Sequence, residues 1–106
     1  MVVHGRTIYV AGTLGLEQGT GKPPAEARRE AELALEEIRR KLRLVGADMD
    51  DLVWVQVFCS DLTLYEEFNS VYRTYFPKGF PARSFIGSGP LLFGSRFEIN
   101  GIAVKR

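Results

Sequence analysis

Apolar and polar positions recur with two different periods along this chain, and the switches between them predict its elements. Thr7 to Ala11 (Thr-Ile-Tyr-Val-Ala) is β-branched and aromatic and runs into Gly12, which predicts a short strand that stops where the backbone needs freedom. Residues 15 to 24 carry three glycines and the pair Pro23-Pro24, a turn-rich connector placed just ahead of a helix start. Ala27, Ala31, Ala34, Leu35, Ile38, Leu42 and Val45 then recur at steps of three and four and share one helical stripe. Arg28, Arg29, Glu32, Glu36, Arg39, Arg40 and Arg43 fall off that stripe. Glu36 with Arg40 and Glu37 with Lys41 stand in the favourable acid-before-base order, and Gly46 is placed to close the helix. The charge run reads as a solvated helix face rather than a binding patch.

Leu52 to Cys59 (Leu-Val-Trp-Val-Gln-Val-Phe-Cys) is a strand whose alternate sets, Val53/Val55/Val57 and Leu52/Trp54/Phe58, are both apolar, so both its faces are expected to be covered. Thr63-Leu64-Tyr65-Glu66 fits a capping box opening a second helix through Phe68, Val71, Tyr72, Tyr75 and Phe76 to Pro77. Arg83 to Ser88 and Arg96 to Val104 are two further strands, joined by the loop from Gly89 to Gly94. The order is β, α, β, α, β, β, an α+β chain. Right-handed crossovers would place both helices on one side of a single sheet. The other sheet face then lacks cover, and a second copy of the chain is the simplest cover, so a homo-oligomer is expected.

The chain has 106 residues, enough for one domain over residues 1–106 and too few for two. Apolar residues make up 45% and charged ones 25%, the proportions of an ordinary globular protein. Fourteen Lys and Arg against thirteen Asp and Glu leave a formal charge of +1, which offers a nucleic acid or an acidic membrane surface no long-range attraction. Cys59 is the one cysteine and cannot close an intramolecular disulfide, which suits a reducing cytoplasm; with His4 the one histidine, no metal-ligand cluster is expected. The N-terminus has no apolar run of a signal peptide, and no stretch approaches the roughly 20 apolar residues of a membrane span.

A hydroxyl or thiol nucleophile would need a histidine beside it, and His4 sits at an expectedly frayed terminus, while Cys59 reads as a buried structural thiol. No Gly-x-Gly-x-x-Gly or P-loop spacing follows a strand. What remains are polar residues in apolar surroundings. Arg83 opens a strand with Phe85 at the next same-face position, Glu98 lies between Phe97 and Ile99, and Asn69 falls on the second helix between Tyr65 and Tyr72. Arg83 and Glu98 fit either a mutual ion pair or a ligand site, and Asn69 either a backbone cap or a ligand contact.

The run Asp61-Leu62-Thr63-Leu64-Tyr65-Glu66-Glu67-Phe68-Asn69-Ser70-Val71-Tyr72, with Tyr75-Phe76, Pro81-Ala82-Arg83-Ser84, Phe97-Glu98-Ile99 and Ile102-Ala103, resembles the RidA/YjgF family of reactive-intermediate deaminases, also labelled L-PSP. Gly12 at a strand end and Thr20-Gly21 in a loop fall in the family's order, and Pro-Ala-Arg with a Glu fifteen positions after the Arg is the specific part. The resemblance implies a chorismate-mutase-like α+β fold. Its mixed sheet carries two helices on one face, and the sheets form the core of a homotrimer with a ligand pocket at each subunit interface.

The implied activity is cofactor-independent and metal-free hydrolysis of 2-imino acids, formed from enamines, to 2-oxo acids and ammonia, of the 2-iminobutanoate/2-iminopropanoate deaminase type. Arg83 would grip the substrate carboxylate with two parallel hydrogen bonds, and Glu98 would position or activate the attacking water. Gly12 would offer a backbone N–H, with Asn69 and Tyr72 in support. Where members usually carry Ser or Thr, Ala11 removes a hydroxyl, and Phe85 fills the place of a common Cys, so a tighter, drier pocket is expected. Asn100 stands where many members have a second acid, and the family's segment with a pocket tyrosine ahead of the first strand has no counterpart in the sequence. The alternatives are a non-catalytic trimer that binds small carboxylates and, against the charge and the lone histidine, a ribonuclease or translation inhibitor.

Overall fold

The computed structural model describes residues 1–106. Along the chain come β1 (Val2–His4), β2 (Thr7–Leu14), α1 (Ala27–Leu44), β3 (Leu52–Cys59), α2 (Tyr65–Tyr72), β4 (Ala82–Gly87) and β5 (Phe97–Val104). The strands form one sheet in the order β1-β2-β5-β3-β4. β3 and β4 are parallel, as a helical crossover through α2 requires, and every other neighbouring pair is antiparallel. β2 and β3 both run against β5, so α1 makes a second crossover over the slot that β5 fills last.

Cross-strand register sorts the residues by face. Val10, Gly101, Val55 and Arg83 form one row, and Thr13, Ile99, Val57 and Phe85 the next. These rows face the helices, where Ala31, Ala34, Leu35, Ile38 and Leu42 of α1 and Phe68, Val71 and Tyr72 of α2 complete the core. Phe68 is its hinge point, touching Phe85 of β4 at 5.5 Å and Phe97 of β5 at 4.9 Å between ring centroids. The opposite face carries Tyr9, Ile102, Trp54 and Ala82 in one row, Asn100, Gln56 and Ser84 in a second, and Leu14, Glu98, Phe58 and Ile86 in a third. No helix covers it. Trp54 and Phe58 are half-buried and Tyr9 is 46% exposed, so β3 is covered on one face alone within the protomer.

Several local readings of the sequence need correction. The N-terminus is paired as strand β1, not frayed, through a turn at Gly5. Gly12 does not stop its strand: with φ +60° it forms a bulge between Val10 and Thr13, and pairing resumes to Leu14. Thr63 does not cap α2. Asp61 accepts from the Thr63 N–H at 3.0 Å and from its hydroxyl at 2.7 Å, starting a 3-10 turn that leads into the helix. The reciprocal box lies at Asp48 instead, whose carboxylate accepts from Met49 N–H while its own N–H donates to Asp51. The surface pairs on α1 join Arg39 to Glu36 and Arg40 to Glu37, three residues apart rather than four. Val53 is exposed because β3 slips in register between Leu52 and Trp54.

One polar clasp was not foreseen. Glu30, fully buried on α1, pairs with Arg96 at 2.8 Å and also accepts from the backbone N–H groups of Arg96 and Phe97. The Arg96 guanidinium also donates to the carbonyls of Pro24 and Ala25. The start of β5 is thereby tied to the connector before α1, with both oxygens of the buried carboxylate engaged.

Candidate active site

Arg83 lies on the edge strand β4 with its side chain directed toward α2. Its guanidinium donates through Nη1 to Asn69 Oδ1 at 2.8 Å and lies 4.5 Å from the Tyr72 ring centroid and 5.2 Å from that of Phe85. Tyr65 closes the packing edge-on against Phe85 at 4.9 Å. The register makes this arrangement: Arg83 and Phe85 alternate onto the helix side of β4, while Asn69 and Tyr72, three apart, share a face of α2. No carboxylate lies within ion-pair distance of Arg83, and Asn69 engages Nη1 of the guanidinium, leaving Nε and Nη2 without a partner in the chain.

The cleft has a volume of about 590 Å³ and is lined by Asn69, Tyr72, Arg73, Phe80, Pro81 and Arg83. Phe80 lies over Tyr72 with the rings nearly parallel at 6.2 Å. Tyr72 is itself 4% exposed, and its hydroxyl has no hydrogen-bond partner. Burial pushes its pKa up to about 12, with the Arg83 charge pulling the other way, so the ring stays neutral as the apolar wall of an arginine site. Arg73 and Phe80 were missed in the sequence. The available signal for Arg73 was its spacing, one helical turn past Asn69.

Glu98 is on the other face of the sheet. β4 and β5 are separated by β3, and Glu98 lies in a row with Leu14 and Phe58 while Arg83 lies in a row with Val55. The two therefore form no ion pair within a protomer, and Glu98 makes neither a salt bridge nor a side-chain hydrogen bond to the chain. Ala11 and Gly12 are exposed at the β2 bulge, on the side of Asn100. The Gly12 N–H donates to Asn100 Oδ1 at 2.7 Å, so this donor is already engaged, and Asn100 in turn reaches Gln56 at 3.4 Å. The expected site residues thus fall into two groups: Arg83, Asn69, Tyr72 and Phe85 between sheet and helix, and Glu98, Gly12 and Ala11 on the bare face.

The family described as Endoribonuclease L-PSP matches residues 1–105. A 2-iminobutanoate/2-iminopropanoate deaminase from Bos taurus is 36% identical over 105 residues, covering 98% of this chain and 77% of that protein. The YjgF gene product of Escherichia coli superposes with a TM-score of 0.92 at 30% identity, over 99% of this chain and 85% of that one.

The chain belongs to the RidA/YjgF family.

A further RidA/YjgF relative, E. coli TdcF with bound serine, superposes with a TM-score of 0.93 at 28% identity over 99% of this chain and 85% of that one. The mixed α+β architecture, one five-stranded sheet with two helices, is that of this family's solved members. No helix is long and apolar enough to cross a membrane.

Proposed function

We propose that this chain hydrolyses 2-imino acids, and the enamines from which they form, to 2-oxo acids and ammonia at a pocket completed between subunits of a homotrimer. The observation that carries the proposal is the Arg83 guanidinium, oriented by Asn69 and three aromatic rings yet held by no carboxylate of its own fold. Such a group is an anchor for a small organic anion, and its free edge matches a carboxylate bidentately. The deaminase name of the bovine relative supports the reaction, and the serine bound to TdcF is a small α-carboxylate of the same class.

In the proposed reaction Arg83 holds the substrate carboxylate, which fixes the adjacent C=N carbon in place. Water adds to that carbon, a proton passes to nitrogen, and the carbinolamine collapses with loss of ammonia as the C=O bond forms. Glu98 orients the water and carries the proton between oxygen and nitrogen. Imines hydrolyse in water unaided, so orientation and one well-placed carboxylate suffice as the protein's contribution. Because Glu98 and Arg83 face opposite sides of the sheet, Glu98 must come from a neighbouring copy whose bare face packs toward the β4 edge. That face, with Tyr9, Trp54, Phe58, Ile86 and Ile102 on it, is the surface an oligomer would bury.

The test is ammonia release from imines generated in situ. Arg83→Ala should lower kcat/KM about a hundredfold, the scale of losing a charge-assisted bidentate contact. Equal rates for both proteins would reject the site. The same separation of Arg83 from Glu98 favours a second reading, a non-catalytic carboxylate-binding trimer. Saturable 2-oxo acid binding without accelerated turnover would establish that one. The ribonuclease reading draws on the family's description alone: the charge is +1, and the lone histidine is exposed on edge strand β1.

A further inference from the structure

The cleft beside Arg83 holds more positive charge than one carboxylate needs. Arg73 lines it too, exposed, with Nε donating to the Asn69 backbone carbonyl at 3.1 Å and no acidic partner within ion-pair distance. Asn69 therefore orients two guanidiniums at once, Arg83 through its side-chain oxygen and Arg73 through its main-chain oxygen. No Asp or Glu is among the six residues lining the cleft, and besides Asn69 and the two cations its lining is Tyr72, Phe80 and Pro81. By contrast, most arginines of α1 that face solvent have an acid three residues away or across a turn, as Arg29, Arg39, Arg40 and Arg43 do.

Two like charges steered by one residue into one apolar-walled cleft repel each other until an anion lies between them or two anionic groups meet them. A simple 2-imino acid offers one carboxylate and satisfies Arg83 alone. We propose that this site selects dicarboxylic substrates, 2-imino acids whose side chain ends in a second carboxylate, with Arg83 on the α-carboxylate and Arg73 on the distal one. The aliphatic stem between the two carboxylates would lie along Phe80 and Tyr72. This inference rests on the proposed reading of Arg83 and adds Arg73 as the residue that sets specificity.

Product-side ligands separate the two ideas cleanly, because 2-oxopentanoate and 2-oxoglutarate share a five-carbon chain and differ in the terminal carboxylate. Calorimetric titration of the full-length protein should show 2-oxoglutarate binding about fivefold tighter, the strength of one partly exposed ionic contact, with the preference shrinking as salt is raised. Arg73→Gln should abolish the preference while leaving the Kd of 2-oxopentanoate within about twofold, and Arg83→Gln should weaken both acids together. Equal affinities in the unsubstituted protein, or an Arg73→Gln variant that weakens both acids alike, would overturn the selectivity and leave the Arg83 reading standing. Binding of neither acid would overturn both. A change in sedimentation on Arg73→Gln would assign the side chain to a subunit contact and likewise overturn the proposal.

Discussion

Arg83 is kept available because its neighbours offer rings and an amide where a carboxylate would have closed it off. Cation–π contact with Tyr72 and Phe85 holds the charge without consuming the in-plane N–H groups that a ligand needs. Tyr72 contributes its face and not its hydroxyl, which is buried and unpartnered. Tyr72→Phe should therefore change stability at neutral pH by less than about 1 kcal/mol. It should also alter the alkaline limb. Below the ordinary tyrosine value of 10.0 the residue is neutral in folded and unfolded chains alike; as pH rises toward about 12 the unfolded chain ionises first and stability falls. Urea titrations at neutral pH and between those two values should show the variant losing less stability than the parent. Glu30 is the opposite case, a charge whose every contact is structural. Glu30→Gln should cost about 3 kcal/mol by urea denaturation, the scale of breaking a buried pair from one side, with a fold that still binds its ligand.

At the scale of elements, α1 and both long apolar strands are legible in the period of their side chains, and the departures from that reading all sit at ends and bulges. The Gly12 bulge is invisible to periodicity because it inserts residues without changing which types are present. α2 has no side-chain cap, because the chain enters it through a 3-10 turn that Asp61 caps, so the capping-box spacing at Thr63 finds no free helix end to close. Gly15 illustrates an element-level contact that composition alone disguises as a turn glycine. A Cβ there would collide with the Glu30 carbonyl oxygen, so the residue lets the end of β2 lie directly on α1. Gly15→Ala should destabilise the protein by about 2 kcal/mol, as overpacking against fixed backbone does, and thermal unfolding would register it. A substitution that left the melting temperature unchanged would mean that the β2 end is not held against α1 in solution.

For the whole molecule, the two groups of site residues lie on opposite faces of one sheet, which makes the proposed chemistry a property of an assembly. Mixing supplies a direct check. Arg83→Ala and Glu98→Gln proteins, each strongly impaired alone, should regain about a quarter of the parent activity when denatured and refolded together, since random closed rings pair an intact Arg83 with an intact Glu98 at that frequency. Ammonia release by the mixture no greater than by either variant would place both groups in one subunit's site or in none.

Residue order by itself determined the types and order of the elements from β2 onward and the bare sheet face, because side-chain period is a local property. It also carried the family resemblance, and the grouping of Arg83, Asn69 and Tyr72 came only with that resemblance. Which strands are neighbours was decided by tertiary structure alone: β5 enters between β2 and β3, leaving β4 at the edge. Alternation along a strand says which residues share a face, but not which face of the sheet that is until register with the neighbouring strands is known. That is why Arg83 and Glu98 could be singled out together and yet stand apart, and why the engagement of Gly12 by Asn100 and the meeting of Arg73 with Arg83 on Asn69 emerge only once the chain is folded.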